Sequence, residues 1–98
     1  MIRDVYILSK SSRQDKKFMV VTPENKKIYF GAAGMSDFTL HKDEKRKESY
    51  ASRHVSRENW NDLNTAGAWA YWILWTKPTL TGAIKNMENK FKIRIKFT

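Results

Sequence analysis

The stretch Phe18-Met19-Val20-Val21-Thr22-Pro23-Glu24-Asn25-Lys26-Lys27-Ile28-Tyr29-Phe30-Gly31 decides the fold. Two β-branched and aromatic runs flank a Pro-Glu-Asn-Lys segment, and proline suits the second position of a turn. Two strands joined by so short a loop make a hairpin. Upstream, Val5-Tyr6-Ile7-Leu8 reads as another strand, separated from Phe18 by the polar residues 9–17. The N-terminal third is therefore expected to be an antiparallel meander.

Working outward, Gly31-Ala32-Ala33-Gly34 is a small-residue hinge, and residues 36–41 read as irregular. From Asp43 the composition turns helical. Asp43 is placed to cap the first turn, where acids also suit the positive end of the helix dipole. The apolar stripe of this helix is only Tyr50, Ala51 and Val55, so it is expected on the surface. Asn59-Trp60-Asn61-Asp62 marks a loop. Residues 66–75 are apolar nearly all round, which predicts a helix that is buried or wrapped by a partner. Lys77-Pro78 stops it. Thr79 suits the cap of a last helix, in which Leu80, Ile84, Met87 and Phe91 recur at the period of one face. Ile93, Ile95 and Phe97 alternate with Arg94 and Lys96, the pattern of a half-buried strand that closes the sheet edge. The expected fold is α+β, one domain over residues 1–98. It has a small antiparallel sheet, the meander plus the C-terminal strand, with about three helices on one side.

The chain carries 19 Lys and Arg against 10 acids, a net charge of +9 over 98 residues. Such a charge repels itself in a compact state, and a partner relieves it by supplying phosphate, an acidic protein surface or an anionic membrane face. The absence of cysteine excludes disulfides, thiolate metal sites and cysteine nucleophiles. The start, Met1-Ile2-Arg3-Asp4, lacks a leader pattern. No apolar run is long enough for a transmembrane segment.

Three constellations are candidates for function. Lys42, Arg46, Arg53 and Arg57 fall within about sixty degrees of one another on a helix and form a basic face for a polyanion or acidic partner. The alternative is a solvated face paired with Asp43, Glu44, Glu48 and Glu58. The aromatic segment with Trp69, Tyr71, Trp72 and Trp75 is a candidate protein contact. Stacking of unpaired bases, shallow contact with a membrane interface and a plain core helix are its other readings. Finally, Asp37, His41, Asp43, His54 and Glu58 contain metal-ligand residue types, and the three acids among them are those a nuclease would draw on. They form no HExxH pattern and no Ser-His-Asp order. Both histidines otherwise serve as hydrogen-bonded structural groups. Gly31-x-x-Gly34 lacks the phosphate-loop pattern.

The ordered series Phe30-Gly31-Ala32-Ala33-Gly34-Met35-Ser36-Asp37-Phe38-Thr39-Leu40-His41-Lys42-Asp43, Arg46-Lys47, Arg53-His54, Glu58-Asn59-Trp60, Thr65-Ala66-Gly67 and Leu74-Trp75-x-Lys77-Pro78-Thr79 resembles a small uncharacterised domain of nucleocytoplasmic large DNA viruses, the giant and algal viruses. The resemblance spans residues 26–93. Position 76, Thr in this chain, more often holds Asn in that pattern. The resemblance carries no catalytic residue. It implies a virion setting, with two natural roles.

The first is a non-enzymatic minor capsid component, its aromatic helix and sheet edge packed on neighbouring capsid proteins. The second is genome association through the basic face, with nucleic acid as partner. Both are binding roles without a cofactor. Peripheral membrane contact stays open as a third kind of association.

Overall fold

The hairpin turn over residues 22–26 closes where its residues favour it. In the computed structural model, which describes residues 3–98, Asn25 takes a left-handed φ of 69°. The Asn25 N–H donates to the Thr22 carbonyl at 2.8 Å, and the Thr22 N–H donates to the Lys26 carbonyl at 2.9 Å. The strands are β1 (Val5–Lys10), β2 (Lys16–Val21), β3 (Lys27–Ala32) and β4 (Arg94–Phe97), in the spatial order β3-β2-β1-β4. Met1 and Ile2, at the start expected to lack a leader, lie outside the described residues.

The α+β class and the four strands are as expected. The sheet is mixed rather than wholly antiparallel, because β4 runs parallel to β1, with Val5 opposite Arg94 and Leu8 opposite Phe97. Alternation of apolar and polar residues says which side chains face the core and is the same for either strand direction. Direction is set by what precedes the strand. Helix α4 (Leu80–Phe91) ends at Lys92 in a left-handed conformation, and the Ile95 N–H then donates to Glu88 Oε2 at 2.9 Å.

Four helices cover one face of the sheet. The first, α1 (Phe38–His41), occupies a stretch expected to be irregular; one turn is too short to display a period. Its cap is Asp37, 2% exposed, which accepts from the Thr39 N–H at 2.9 Å. Helix α2 (Glu44–His54) starts at the expected cap, Asp43, and buries no residue. Helix α3 (Ala66–Ala70) continues into a π-helical stretch, Tyr71–Trp75. Thr79 caps α4 as expected, and its Met87 is fully buried with Leu80, Ile84 and Phe91 packed around the core. Trp69, Phe30, Leu8 and Ile73 are the largest of the other sealed side chains. No described helix is long and apolar enough to cross a membrane.

Candidate functional site

Because α2 buries no residue fully, a few half-buried side chains hold it to the body. The Tyr50 ring is sandwiched between His54, 4.1 Å away at 23°, and Trp75, 4.1 Å away at 7°. The Lys47 ammonium sits 4.9 Å above the Phe38 ring. His54 Nδ1 lies 3.3 Å from Glu58 Oε1, and the same Glu58 oxygen accepts from the Trp60 indole N–H at 3.2 Å.

Beside these contacts a cleft of about 1580 Å³ remains open. One wall is α2 and the turn after it. The other is the end of β3 and the following turn, including Gly31, Ala32 and Met35. Ala70, Leu74 and Trp75 back it. Gly31 has φ +78°, and a Cβ there would come within 2.9 Å of Leu74 Cδ1, so only glycine lets strand and helix approach this closely.

The cleft is strongly cationic. Lys17, Lys45, Arg46, Arg53 and Arg57 line it, against Asp37 and Glu48. Lys17 is cancelled locally, since its ammonium bonds the Asp37 carboxylate in a part-buried ion pair. Among the described residues no acid pairs with Arg46, Arg53 or Arg57. Of the expected acidic partners for this face, Asp43 caps α2, Glu44 lies 4.0 Å from Lys47, and Glu58 turns to His54.

Three of the four residues expected on the basic face thus meet in the cleft. Lys42 does not. It is the left-handed residue between α1 and α2, and its ammonium donates to the Thr39 carbonyl at 2.9 Å. The helical projection that put Lys42 in line with Arg46 fails there because the helix begins only at Glu44. Arg57 also lies past the end of α2, in a turn closed by its N–H to the His54 carbonyl, yet still reaches the cleft.

The aromatic segment is divided rather than presented as one surface. Trp69 is sealed in the core, its indole N–H donating to the Leu63 carbonyl at 2.9 Å. The Trp72 N–H donates to the Trp60 carbonyl, and its ring meets Phe91 edge-on. Tyr71 stacks on Trp60 at 3.6 Å, and burial raises its phenol pKa. Only Trp75 reaches the cleft. Trp60 and Tyr50 thus cover aromatic surface that the sequence left unassigned; both are visible as aromatic residues, but their distance along the chain conceals the pairing.

The polar set disperses as well. Asp37 is committed to Lys17 and Thr39, and His41 Nδ1 accepts the Asp43 N–H at 2.9 Å. Only His54 and Glu58 meet. Among the described residues no three His, Asp or Glu side chains are grouped to hold a metal ion.

Fold and cleft define a small α+β domain whose helical side carries a groove of unpaired arginines against an aromatic wall. Residues 6–54 match the family described as "Family of unknown function (DUF5754)", and the chain belongs to that family. The matched stretch runs from β1 to the end of α2, so it holds the arginine helix but stops short of Trp75. No curated protein and no solved structure matches the chain.

Proposed function

We propose that this protein binds nucleic acid, with the cleft between α2 and the end of β3 as its phosphate-binding surface. One observation carries the reading: Arg46, Arg53 and Arg57 line a single cleft, and among the described residues no acid forms an ion pair with any of them. Guanidinium groups in this state bind phosphate oxygens bidentately and release counterions from a polyanion. The reading is a non-enzymatic one. In the virion setting implied by the sequence resemblance, the polyanion is the genome.

The test is a gel-shift titration at two salt concentrations, with the wild type and an Arg46→Ala, Arg53→Ala, Arg57→Ala triple variant. Binding that weakens steeply with salt in the wild type and is lost in the variant supports the reading. No binding at low salt rejects it.

A second reading, a minor capsid component bound to a neighbouring capsid protein, has its own support on the far face of the sheet. There Ile7 lies between Val21 and Lys96, and Val21 lies opposite Lys27. Val5 and Ile7 are 44% and 40% exposed. An apolar centre between lysines suits a protein surface with an apolar patch and a carboxylate rim. Co-sedimentation with isolated capsid shells, abolished by Ile7→Asp but not by the triple arginine change, tests it. Sedimentation unchanged by Ile7→Asp counts against it.

A further inference from the structure

We propose that Ser49 is a phosphorylation site whose phosphate seats on Arg46 and Arg53 and closes the cleft to a polyanion, a means of regulation that rests on the nucleic-acid reading above. Lys47, Tyr50, Ala51 and His54 are the half-buried residues of α2 and mark the side that packs on the body. Ser49 lies away from that side. It is exposed to solvent and lines the cleft. An enzyme in solution therefore has access to its hydroxyl.

What surrounds Ser49 sets it apart from its neighbour Ser52. On a helix a side chain meets those three and four residues away. For Ser49 these are Lys45, Arg46, Ser52 and Arg53, three cations and no acid. Ser52 has Glu48 and Ser49 one turn back, an acid and no cation. Among the described residues Arg46 and Arg53 form no ion pair, so both guanidinium forks are available. A phosphoserine brings a charge of about −1.5 to −2 and three strong acceptor oxygens. Arginine matches such a group bidentately. An anion four residues ahead of Arg53 is also the favourable order for an ion pair on a helix. The phosphate therefore neutralises two of the three cleft arginines while supporting α2.

The sequence around Ser49 also suits the enzyme. Arg46 stands three residues before it, with Lys45 ahead of that, the arrangement that arginine-directed protein kinases select. Such a kinase takes its substrate chain in extended form. Helix α2 buries no residue fully, so it can open locally without unfolding the core. The co-reactant is a nucleoside triphosphate. Ser49 Oγ bonds to the γ-phosphorus, and the bond from that phosphorus to its bridging oxygen breaks. The hydroxyl proton passes to the base of the kinase, and nucleoside diphosphate leaves.

The experiment treats the full chain with an arginine-directed protein kinase and ATP, using the wild type, Ser49→Ala and Arg46→Ala. Mass spectrometry is expected to place a phosphoryl group on Ser49, added more slowly in Arg46→Ala. Binding of a labelled DNA duplex is then read by fluorescence anisotropy. With two arginines occupied, affinity is expected to fall about tenfold or more, and the slope of log K against log salt to shrink by about 1.8. Ser49→Ala, treated alike, is expected to keep the affinity of its own untreated form. NMR spectra without DNA read the pairing by itself, through shifted Nε–H signals of Arg46 and Arg53. No phosphoryl group on Ser49, or one that leaves these signals or the DNA affinity unchanged, overturns the inference and leaves the nucleic-acid reading standing. Unmodified protein that binds no DNA rejects that reading and the regulatory role together, while the Nε–H signals still decide where the phosphate sits.

Discussion

Tyr50 and Trp75 stack with ring centroids 4.1 Å apart and planes within 7° of parallel, and this contact ties α2, which buries no residue fully, to the domain. It joins residues of α2 and of the π-helical stretch, both of which line the cationic cleft. Trp75→Ala is expected to lose about 0.5–1.5 kcal/mol beyond the area effect. Amide hydrogen exchange is expected to speed up along α2 while the sheet stays protected. Tyr50→Phe keeps the ring and should leave both measurements near the wild type. Unchanged exchange in α2 after Trp75→Ala would show that the stack does not hold the helix.

Alkaline pH should loosen the same contact. Burial, reinforced by Glu58 and opposed by Arg53, pushes the Tyr50 phenol from its ordinary value of 10.0 up to about 12. The folded state therefore keeps the proton more tightly than the unfolded chain. The resulting stability is fully present below about pH 10 and drains away as pH rises through about 12. Urea unfolding across that range should show a falling midpoint, with a shallower fall in Tyr50→Phe. Equal slopes in both proteins would contradict this assignment.

Gly67 sits where a Cβ would collide with the Glu58 carboxylate. That carboxylate accepts the Trp60 indole N–H and pairs with His54. Gly67→Ala should push the flexible end of Glu58 aside, with a net stability change within about 1 kcal/mol because Ala gains helix propensity over Gly. A shifted Trp60 indole proton resonance in NMR spectra is the expected signature, since the indole loses its acceptor. A variant as stable as the wild type with that resonance unmoved would mean that Glu58 has room elsewhere.

The Lys17–Asp37 pair at the cleft edge is mostly hidden, with side-chain exposures of 16% and 3%. Asp37→Ala removes a helix cap and leaves an ammonium without its partner. The expected cost is about 3 kcal/mol, measured by chemical denaturation. The double change Lys17→Met, Asp37→Ala should recover part of it, because no uncompensated charge is then buried. A double variant less stable than Asp37→Ala alone would refute this account.

Much of the fold was legible because its signals are local. The turn at Pro23, the caps Asp43 and Thr79, the repeat of Leu80, Ile84, Met87 and Phe91, and the alternation after Ile93 each act within a few residues. Helix α1 was missed because a single turn capped by Asp37 shows no period. The candidate cleft was half legible. Arg46, Arg53 and Arg57 stand out by spacing and sign, whereas Lys42 was misplaced because a left-handed residue interrupts the helical count. Trp75 was noticed as part of an aromatic run, without any hint that its partner is Tyr50.

The amino-acid order alone determined the four strands, the unburied character of α2 and the excess of positive charge, since hydrophobic period, capping and net charge are properties of neighbours in the chain. Only the tertiary structure decided that β4 runs parallel to β1, that the tryptophans point in different directions, and that Arg46, Arg53 and Arg57 line one cleft. Those outcomes depend on contacts between residues far apart in sequence, such as Tyr50 with Trp75 and Glu88 with Ile95, whose geometry follows from how the whole core packs.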